Sequence, residues 1–330
     1  MQEKLDQEIN QGRMQGLHSI VVMLGGDCIA EAYAPGKDER WGAPLGTVEH
    51  GPDTLHDTRS ITKSVVGLLY GIALSEGAVP DLEAPLLEHF PDYPDLKDGS
   101  RRERITVQDA LTLRMGTEWN EDLPYSDPRN SEIAMEMAKD RYQFALDRPM
   151  VAEPGRVWSY NGGAVALIAK LITDGTGQPI DDYARSRLFE PLGIASFEWM
   201  KGTDGVPSAA SGLRMSARDL ASLGSMVAQG GQYQGQQIIP RDWLSASSSP
   251  MAAVRKNIQY GYLWYLTKGP AGDQIVFAMG NGGQRLTIQP RTGFVVSTFS
   301  GLYNNPQAWK LSLQALENLA IPETIAITDQ

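Results

Sequence analysis

The stretch SITKSVVGLLYGIAL, which runs from Ser60 to Leu74, is the most informative part of the chain. Its apolar residues recur at the spacing of one helix face, and these are Ile61, Val65, Leu68, Leu69 and Ile72. Gly77 is a suitable point for that helix to end. The stretch therefore predicts a strongly apolar helix that carries Ser60 and Lys63 in its first turn.

A serine and a lysine at this spacing can form a nucleophile and its base. A free serine hydroxyl is a poor nucleophile and needs an activating group nearby. Positions i and i+3 share a helix face, so Lys63 can reach Ser60. The positive end of the helix dipole favours a developing oxyanion and, together with burial, is expected to lower the pKa of Lys63. The alternative interpretation is a surface lysine near a helix N-cap.

A second motif, WSYNGG, spans residues 158–163 and precedes another helical pattern. It places Tyr160 at a junction between a loop and a helix. A phenol hydroxyl there can relay a proton if a nearby cation lowers its pKa. A core tyrosine with a satisfied hydroxyl is the alternative.

A third motif, MGNGGQ, spans residues 279–284 between two strand-like runs. Its glycines allow a substrate to approach the backbone closely, and a backbone N–H there can complete an oxyanion hole. The same string also fits an ordinary Asn-Gly hairpin turn.

In order and separation, the three motifs resemble those of the penicillin-binding and class C β-lactamase superfamily of serine hydrolases, whose first signature is Ser-x-x-Lys. The resemblance covers nearly the whole chain. It implies that Ser60 attacks a carbonyl to form an acyl-enzyme and that Lys63 and Tyr160 share the proton transfers. It also implies an oxyanion hole made by the backbone N–H groups of Ser60 and Gln284.

Two positions depart from the family pattern. Gly162 stands where the family has an asparagine, two residues after the tyrosine, so the usual amide contact to the lysine is missing or re-routed. Asn281 and Gly282 replace the cationic residue and the threonine of the third motif, and the cation helps to hold a substrate carboxylate.

These departures argue against strong penicillinase or carboxypeptidase activity. They suit neutral esters or amides, as in the esterase and 6-aminohexanoate-dimer hydrolase branches. The resemblance implies substrate contacts from Asn161, Asn281, Gly282, Gly283 and Tyr125.

The order of the predicted elements indicates an α+β fold, and the family resemblance implies that it is of the β-lactamase/transpeptidase type. Strand-like runs at 17–24, 28–33 and 260–299 enclose a mainly helical part, which predicts one antiparallel sheet built from both ends of the chain. We expect a discontinuous sheet domain of residues 1–59 and 255–330 and a helical domain of residues 60–254. The active site would lie between them.

Composition narrows the partners of the protein. The 330 residues are 42% hydrophobic, and a formal net charge of −11 disfavours nucleic acid and anionic membrane surfaces. No signal-peptide core is visible near the start, and the compartment and oligomeric state stay open.

The single cysteine, Cys28, excludes an internal disulfide and is expected to be buried. No metal or cofactor motif is present, so the histidines are expected to be solvated or capping residues, and these are His18, His50, His56 and His89.

The sequence therefore predicts a cofactor-free serine hydrolase that cleaves small esters or amides. One alternative keeps the fold and the mechanism but changes the substrate, as in a β-lactamase or a peptidoglycan peptidase. The other is a non-catalytic sensor module of the same fold, which would have no need of a nucleophile and a base.

Overall fold

The computed structural model describes residues 2–11, 14–269 and 271–315. The α-helices are α1 (Gln2–Asn10), α2 (Ile61–Ser75), α3 (Val107–Leu111), α4 (Ser131–Glu136), α5 (Arg141–Leu146), α6 (Gly162–Thr176), α7 (Ile180–Ala184), α8 (Ala217–Ala228), α9 (Arg241–Ser247) and α10 (Ala308–Ala315). Short 3₁₀ turns lie at Leu86–His89, Pro94–Leu96, Arg101–Arg104 and Glu190–Leu192, and a π-helical segment spans Arg185–Phe189. No helix among these residues is both long and apolar enough to cross a membrane.

The strands are β1 (Leu17–Leu24), β2 (Asp27–Tyr33), β3 (Gly36–Arg40), β4 (Ala43–Val48), β5 (His56–Asp57), β6 (Glu198–Trp199), β7 (Leu213–Met215), β8 (Gln232–Tyr233), β9 (Gln236–Gln237), β10 (Ala252–Arg255), β11 (Ile258–Tyr260), β12 (Tyr265–Lys268), β13 (Gln274–Gly280), β14 (Gln284–Gln289) and β15 (Phe294–Ser300). The main sheet has the order β10-β11-β12-β13-β14-β15-β1-β2, and its neighbouring strands are antiparallel. The hairpin of β1 and β2 thus completes a sheet whose other strands come from the end of the chain, and the predicted α+β architecture is confirmed.

Helix α2 lies at the centre of the molecule. Every residue from Ile61 to Ala73 is buried, and the helix packs against α6 on one side and against β13 and β14 on the other. Each fully buried aliphatic side chain of this kind contributes about 1.5–3 kcal/mol to folding. Packing on α6, β13 and β14 therefore fixes the position of the first turn of α2.

Some predicted elements differ in detail. The apolar spacing of residues 133–146 predicts one helix, but the structure has two, α4 and α5, because the side chains of Asn130 and Asp140 each cap a separate helix start. The glycines, prolines and charges of residues 35–55 predict a loop or an edge strand, and the segment contains the β3–β4 hairpin. The pattern of residues 306–319 predicts a closing helix, which begins at Ala308, and residues 316–319 lie outside the described part of the chain.

Two expectations about single residues are wrong. Cys28 is exposed, because it lies on the edge strand β2 near its hairpin turn. His18 and His56 are each 1% exposed and are neither solvated nor capping residues. They belong to a buried histidine cluster that has no signature in the sequence, because its members come from separate segments.

The histidine cluster consists of His18, His50 and His56. His18 Nδ1 lies 3.0 Å from His56 Nε2, and the rings of His18 and His50 stack with their centroids 4.1 Å apart. His56 Nε2 also lies 3.3 Å from Asp38 Oδ1, and its ring stacks on Phe299. Burial lowers the pKa of His18 to about 4 and that of His56 to about 3, even though the Asp38 carboxylate raises both. The imidazoles are thus neutral in the folded protein.

We expect the histidine cluster to make folding stability depend on pH in the mildly acidic range. The unfolded chain takes up protons on these imidazoles near pH 6.5, whereas the folded chain does not, so the stability present above that pH is lost as the pH falls. Between pH 6.5 and 5, His56 alone should lower the free energy of unfolding by about 1.6 kcal/mol. Urea unfolding at several pH values measures the slope.

The matched variants are His56→Gln and His89→Gln, since His89 lies outside the cluster. The first should flatten the dependence of stability on pH between 7 and 5, and the second should leave it as in the wild type. Equal slopes in all three proteins would contradict the assignment of the pH dependence to the buried imidazoles.

Candidate active site

A strained turn presents Ser60 at the start of α2. Arg59 has φ = +50°, in the left-handed region that residues other than glycine seldom adopt. Its guanidinium is held by ion pairs to Glu39 and to Asp57 and lies 4.9 Å from the centre of the Tyr303 ring. These contacts offset the cost of the turn, which places Ser60 at the N-cap position.

Lys63 reaches Ser60 as the helical spacing predicted. Its Nζ donates to Ser60 Oγ at 3.1 Å and to the carbonyl oxygen of Ala210 at 2.9 Å. The third contact of the ammonium group is Glu132 Oε2, at 3.3 Å. The side chain of Lys63 is 2% exposed, so the alternative of a surface lysine is wrong.

The expected direction of the Lys63 pKa shift is wrong. Burial does lower this pKa, but the Glu132 carboxylate, with further contributions from Tyr160 and Glu121, outweighs burial and raises the pKa above its ordinary value. Lys63 is therefore an ammonium ion in the resting protein. Burial and the helix dipole can be inferred from the local sequence, but a carboxylate beside Lys63 cannot, because Glu132 lies 69 residues away in the chain.

Tyr160 lies beside this cation, with the centre of its ring 4.8 Å from Lys63 Nζ. Burial raises the pKa of the phenol, whereas the Lys63 charge and a hydrogen bond with Ser60 lower it, and the net direction is upward. The resting site thus contains a phenol, an ammonium ion and a serine hydroxyl in mutual contact, as the order of the first two motifs implied.

Two glutamates complete the polar site, and sequence reasoning assigned a role to neither. Glu132 Oε1 accepts a hydrogen bond of 2.6 Å from the Ser211 hydroxyl. Glu121 accepts hydrogen bonds from the backbone N–H of Gly162 and from Trp119 Nε1, both at 2.6 Å. Nothing local to Glu132 distinguishes it from any other glutamate in a first helical turn.

The two glutamates differ in protonation. Burial and the neighbouring Glu132 raise the pKa of Glu121 to about 7. Burial also raises the pKa of Glu132, but the Lys63 ammonium and the Ser211 hydroxyl reverse this, so its pKa lies below the ordinary value. A hydrogen bond between the two carboxyl groups further stabilises the Glu132 carboxylate.

The side chain of Asn161 makes contacts within the protein, and its contact with substrate stays a prediction. Its side-chain oxygen accepts from the backbone N–H of Ala164 at 3.0 Å and caps α6, while its amide nitrogen donates to Thr117 Oγ1. The residue is 4% exposed. Asn161 is a helix cap, because the start of α6 needs an acceptor there.

The third motif forms the turn between β13 and β14. Gly282 and Gly283 have φ values of +100° and +92°, and a Cβ on Gly282 would lie 2.8 Å from the ring of Tyr303. The turn therefore needs these glycines for its own conformation, and their contact with substrate stays a prediction. Gln284 begins β14, next to the Arg59 turn across Gly280. Its backbone role in an oxyanion hole also stays a prediction.

A cleft of about 340 Å³ opens over Ser60. Tyr125 and Asn281 both line it, as expected of substrate contacts. The Tyr125 hydroxyl donates to Glu121 Oε2 at 3.0 Å, and the Asn281 amide pairs with Asn304. The other lining residues are Glu39, Trp41, Gly42, Arg59, Ser126, Glu132, Ile133, Glu136, Met137, Ser211 and Asn304.

Comparison with known proteins identifies the family and the fold of the chain. The model of the family described as Beta-lactamase matches residues 1–314. The chain is 24% identical over 304 residues to the 6-aminohexanoate-dimer hydrolase of Paenarthrobacter ureafaciens, covering 86% of this chain and 72% of that one.

Solved structures share the fold. A protein from Bacillus anthracis assigned as a 6-aminohexanoate-dimer hydrolase has a TM-score of 0.79 at 19% identity, covering 97% of this chain and 82% of that one. EstCE1, a hydrolase with promiscuous acyltransferase activity, has a TM-score of 0.74 at 14% identity, covering 94% and 96%. With the family match over nearly its whole length, the chain belongs to the beta-lactamase family and is a serine hydrolase.

Proposed function

We propose that Ser60 is the nucleophile of this hydrolase and that the enzyme cleaves small neutral or cationic esters and amides through an acyl-enzyme. The observation that carries the proposal is the 3.1 Å contact between Lys63 Nζ and Ser60 Oγ at a helix start under an open cleft. Nucleophile and activating group within hydrogen-bond reach are the mark of covalent catalysis.

The proton transfers follow from the resting protonation states. The pKa values of Lys63 and Tyr160 are both raised, so this pair must lose one proton to solvent before it can accept another. The serine proton then passes to the pair as Ser60 Oγ bonds to the substrate carbonyl. The pair returns that proton to the leaving alcohol or amine, and water releases the acyl group by the reverse sequence.

The backbone N–H groups of Ser60 and Gln284 would stabilise the oxyanion that forms in each half of the reaction. The Arg59 turn supports this proposal, because it brings the end of β13 and the start of β14 against the segment that leads into α2. Gly282 and Gly283 would let the acyl group pass close to the backbone on this side.

The charges of the cleft indicate the substrate class. Among its lining residues Arg59 is the cation, and it is already paired with Glu39 and Asp57. Glu132 and Glu136 also line the cleft, and each is paired with a cation, Glu132 with Lys63 and Glu136 with Arg141. Asn281 stands where the family has a cation, so the lining residues offer a substrate carboxylate no unpaired cation.

The cleft also supports the proposed division of the chain. Its lining includes Glu39, Trp41, Gly42, Arg59, Asn281 and Asn304 from the first of the two proposed domains and Ser60, Tyr125, Ser126, Glu132, Ile133, Glu136, Met137 and Ser211 from the second. The active site would thus lie between a sheet domain of residues 1–59 and 255–330 and a helical domain of residues 60–254.

A substrate panel tests this assignment. We expect turnover of a p-nitrophenyl butyrate ester to exceed that of the p-nitrophenyl monoester of glutarate by at least about tenfold, since the second carries a terminal carboxylate that would be desolvated in a cleft without an unpaired cation to bind it. Values of kcat/KM for the two esters, for the matching anilides and for nitrocefin measure the preference. Asn281→Lys should narrow the gap between the two esters.

The other assignments correspond to distinct results. Nitrocefin turnover above that of the neutral ester would replace the proposal with a β-lactamase. The absence of acylation of the wild-type protein by every ester, amide and β-lactam probe would replace it with a non-catalytic module.

A further inference from the structure

Lys63 is held by a carboxylate where the family pattern implies an amide. Lys63 and Glu132 side chains are each 2% exposed, and their charged atoms lie 3.3 Å apart. A buried ammonium group has three donors to satisfy, and here they meet Ser60, Ala210 and Glu132. Glu132 is thus part of the set of contacts that aims the lysine at the serine.

Gly162 provides the space for that carboxylate. A Cβ atom at position 162 would lie 2.9 Å from Glu132 Oε2 and 3.1 Å from both Glu121 Oε1 and Ala210 Cβ. Gly162 is the first residue of α6 and does not have a left-handed backbone conformation, so glycine is not required there by φ. A side chain at 162 therefore requires the Glu132 carboxylate to move away from its present position.

The remaining contacts fix the carboxylate in place. The Ser211 hydroxyl donates to its second oxygen, and the backbone N–H of Glu132 donates to the capping side chain of Asn130 at 3.0 Å. On the far side, Glu121 is held by Gly162 and Trp119. The position of Glu132 is thus determined from both the helix start and the opposite wall.

We propose that Glu132, admitted by Gly162, replaces the amide of the family's tyrosine motif and serves as the positioning residue for Lys63. The inference rests on the proposed role of Ser60 as nucleophile. A carboxylate differs from an amide in carrying a charge, so Glu132 also keeps Lys63 protonated to higher pH than an amide would. The titratable groups that face the ammonium group are Glu121, Glu132, Tyr160 and Tyr260.

The test is the rate of Ser60 acylation by a fluorophosphonate probe as a function of pH, which does not require knowledge of the substrate. Glu132→Gln keeps the shape and removes the charge, so the pKa of the Lys63–Tyr160 pair should fall. The rising limb of the acylation profile should move to lower pH by about one unit or more. Glu118→Gln, on an exposed glutamate paired with Arg148, is the control and should leave the limb unchanged.

A double-mutant cycle provides the second test, and it does not depend on the pH limb. Gly162→Asn should reduce acylation at least about 100-fold, because the new side chain displaces the Glu132 carboxylate. Glu132→Ala should also reduce it. The double variant Gly162→Asn/Glu132→Ala should be acylated at least about tenfold faster than either single variant, because the new amide can now contact Lys63.

The outcomes separate the two proposals. If wild type is not acylated at any pH, the role of Ser60 is wrong. If the wild-type protein is acylated, two further results together would show that Glu132 has no positioning role. The acylation rate of Glu132→Gln would rise over the same pH range as that of the wild type, and the double variant would be acylated no faster than the single variants. Thermal unfolding of each variant shows whether it is folded. If Gly162→Asn alone does not fold, the acylation rate of the double variant is compared with that of Glu132→Ala.

Discussion

Replacing Ser60 with alanine is expected to reduce ester turnover by roughly 10⁴- to 10⁶-fold, as loss of a covalent nucleophile does in other serine hydrolases. Labelling by a fluorophosphonate probe should disappear in the same variant, because the probe forms its bond with the serine oxygen. Hydrolysis of p-nitrophenyl butyrate and in-gel fluorescence of the labelled protein are the two measurements.

The fold should survive this change. Ser60 stands at the N-cap position of α2, but its side chain makes no capping hydrogen bond, so alanine removes no cap. Ser245→Ala, on the exposed side of α9, is the matched control and should keep both turnover and labelling. Wild-type turnover in Ser60→Ala would rule out Ser60 as the nucleophile.

Replacing Lys63 with methionine is expected to remove both activity and stability. Turnover should fall by about 10²- to 10⁴-fold, the usual contribution of a positioned acid or base. The substitution also leaves the Glu132 carboxylate buried without its cation, and breaking a buried pair in this way costs about 3–5 kcal/mol. Ester kinetics and urea unfolding measure the two losses separately.

A second substitution distinguishes the two effects of Lys63→Met. In Lys63→Met/Glu132→Gln the uncompensated charge is gone, so most of the stability should return while turnover stays low. Lys170→Met is the control, since Lys170 forms an i,i+4 pair with Asp174 on the surface and such pairs contribute about 0.3–0.5 kcal/mol. A stable, fully active Lys63→Met protein would show that the buried pair of Lys63 and Glu132 contributes neither to stability nor to turnover.

The parts of the site that sequence predicted are those encoded by short spacing. Ser60 and Lys63 lie one helical turn apart, so the helix alone brings them into contact. Most of the sheet was predictable for a similar reason, because the β1–β2 hairpin and the strands between residues 260 and 300 carry local β patterns, whereas β10 was not predicted.

The parts that sequence missed depend on contacts between distant segments. Glu132 lies 69 residues beyond Lys63, and no local pattern marks it as the partner of a buried cation. The sequence does not show that this carboxylate lies beside Lys63, and burial and the helix dipole alone predict a lowered pKa for the lysine. In the structure the pKa is raised. Gly162 was recognised as a departure from the family motif, but its consequence required the position of a side chain on α4.

The sheet order has a consequence for the timing of synthesis. Strand β1, made first, pairs with β15, and α2 packs on β13 and β14, which lie more than 200 residues later in the chain. A ribosome releases the chain from its beginning, so the segment with Ser60 emerges long before its supporting strands exist. Contacts between segments that are so far apart in the chain, such as β1 and β15, also form slowly during folding. The nascent chain therefore lacks a formed nucleophilic site until residues 294–300 have emerged, and acylation by a probe should mark only chains whose synthesis has passed that point.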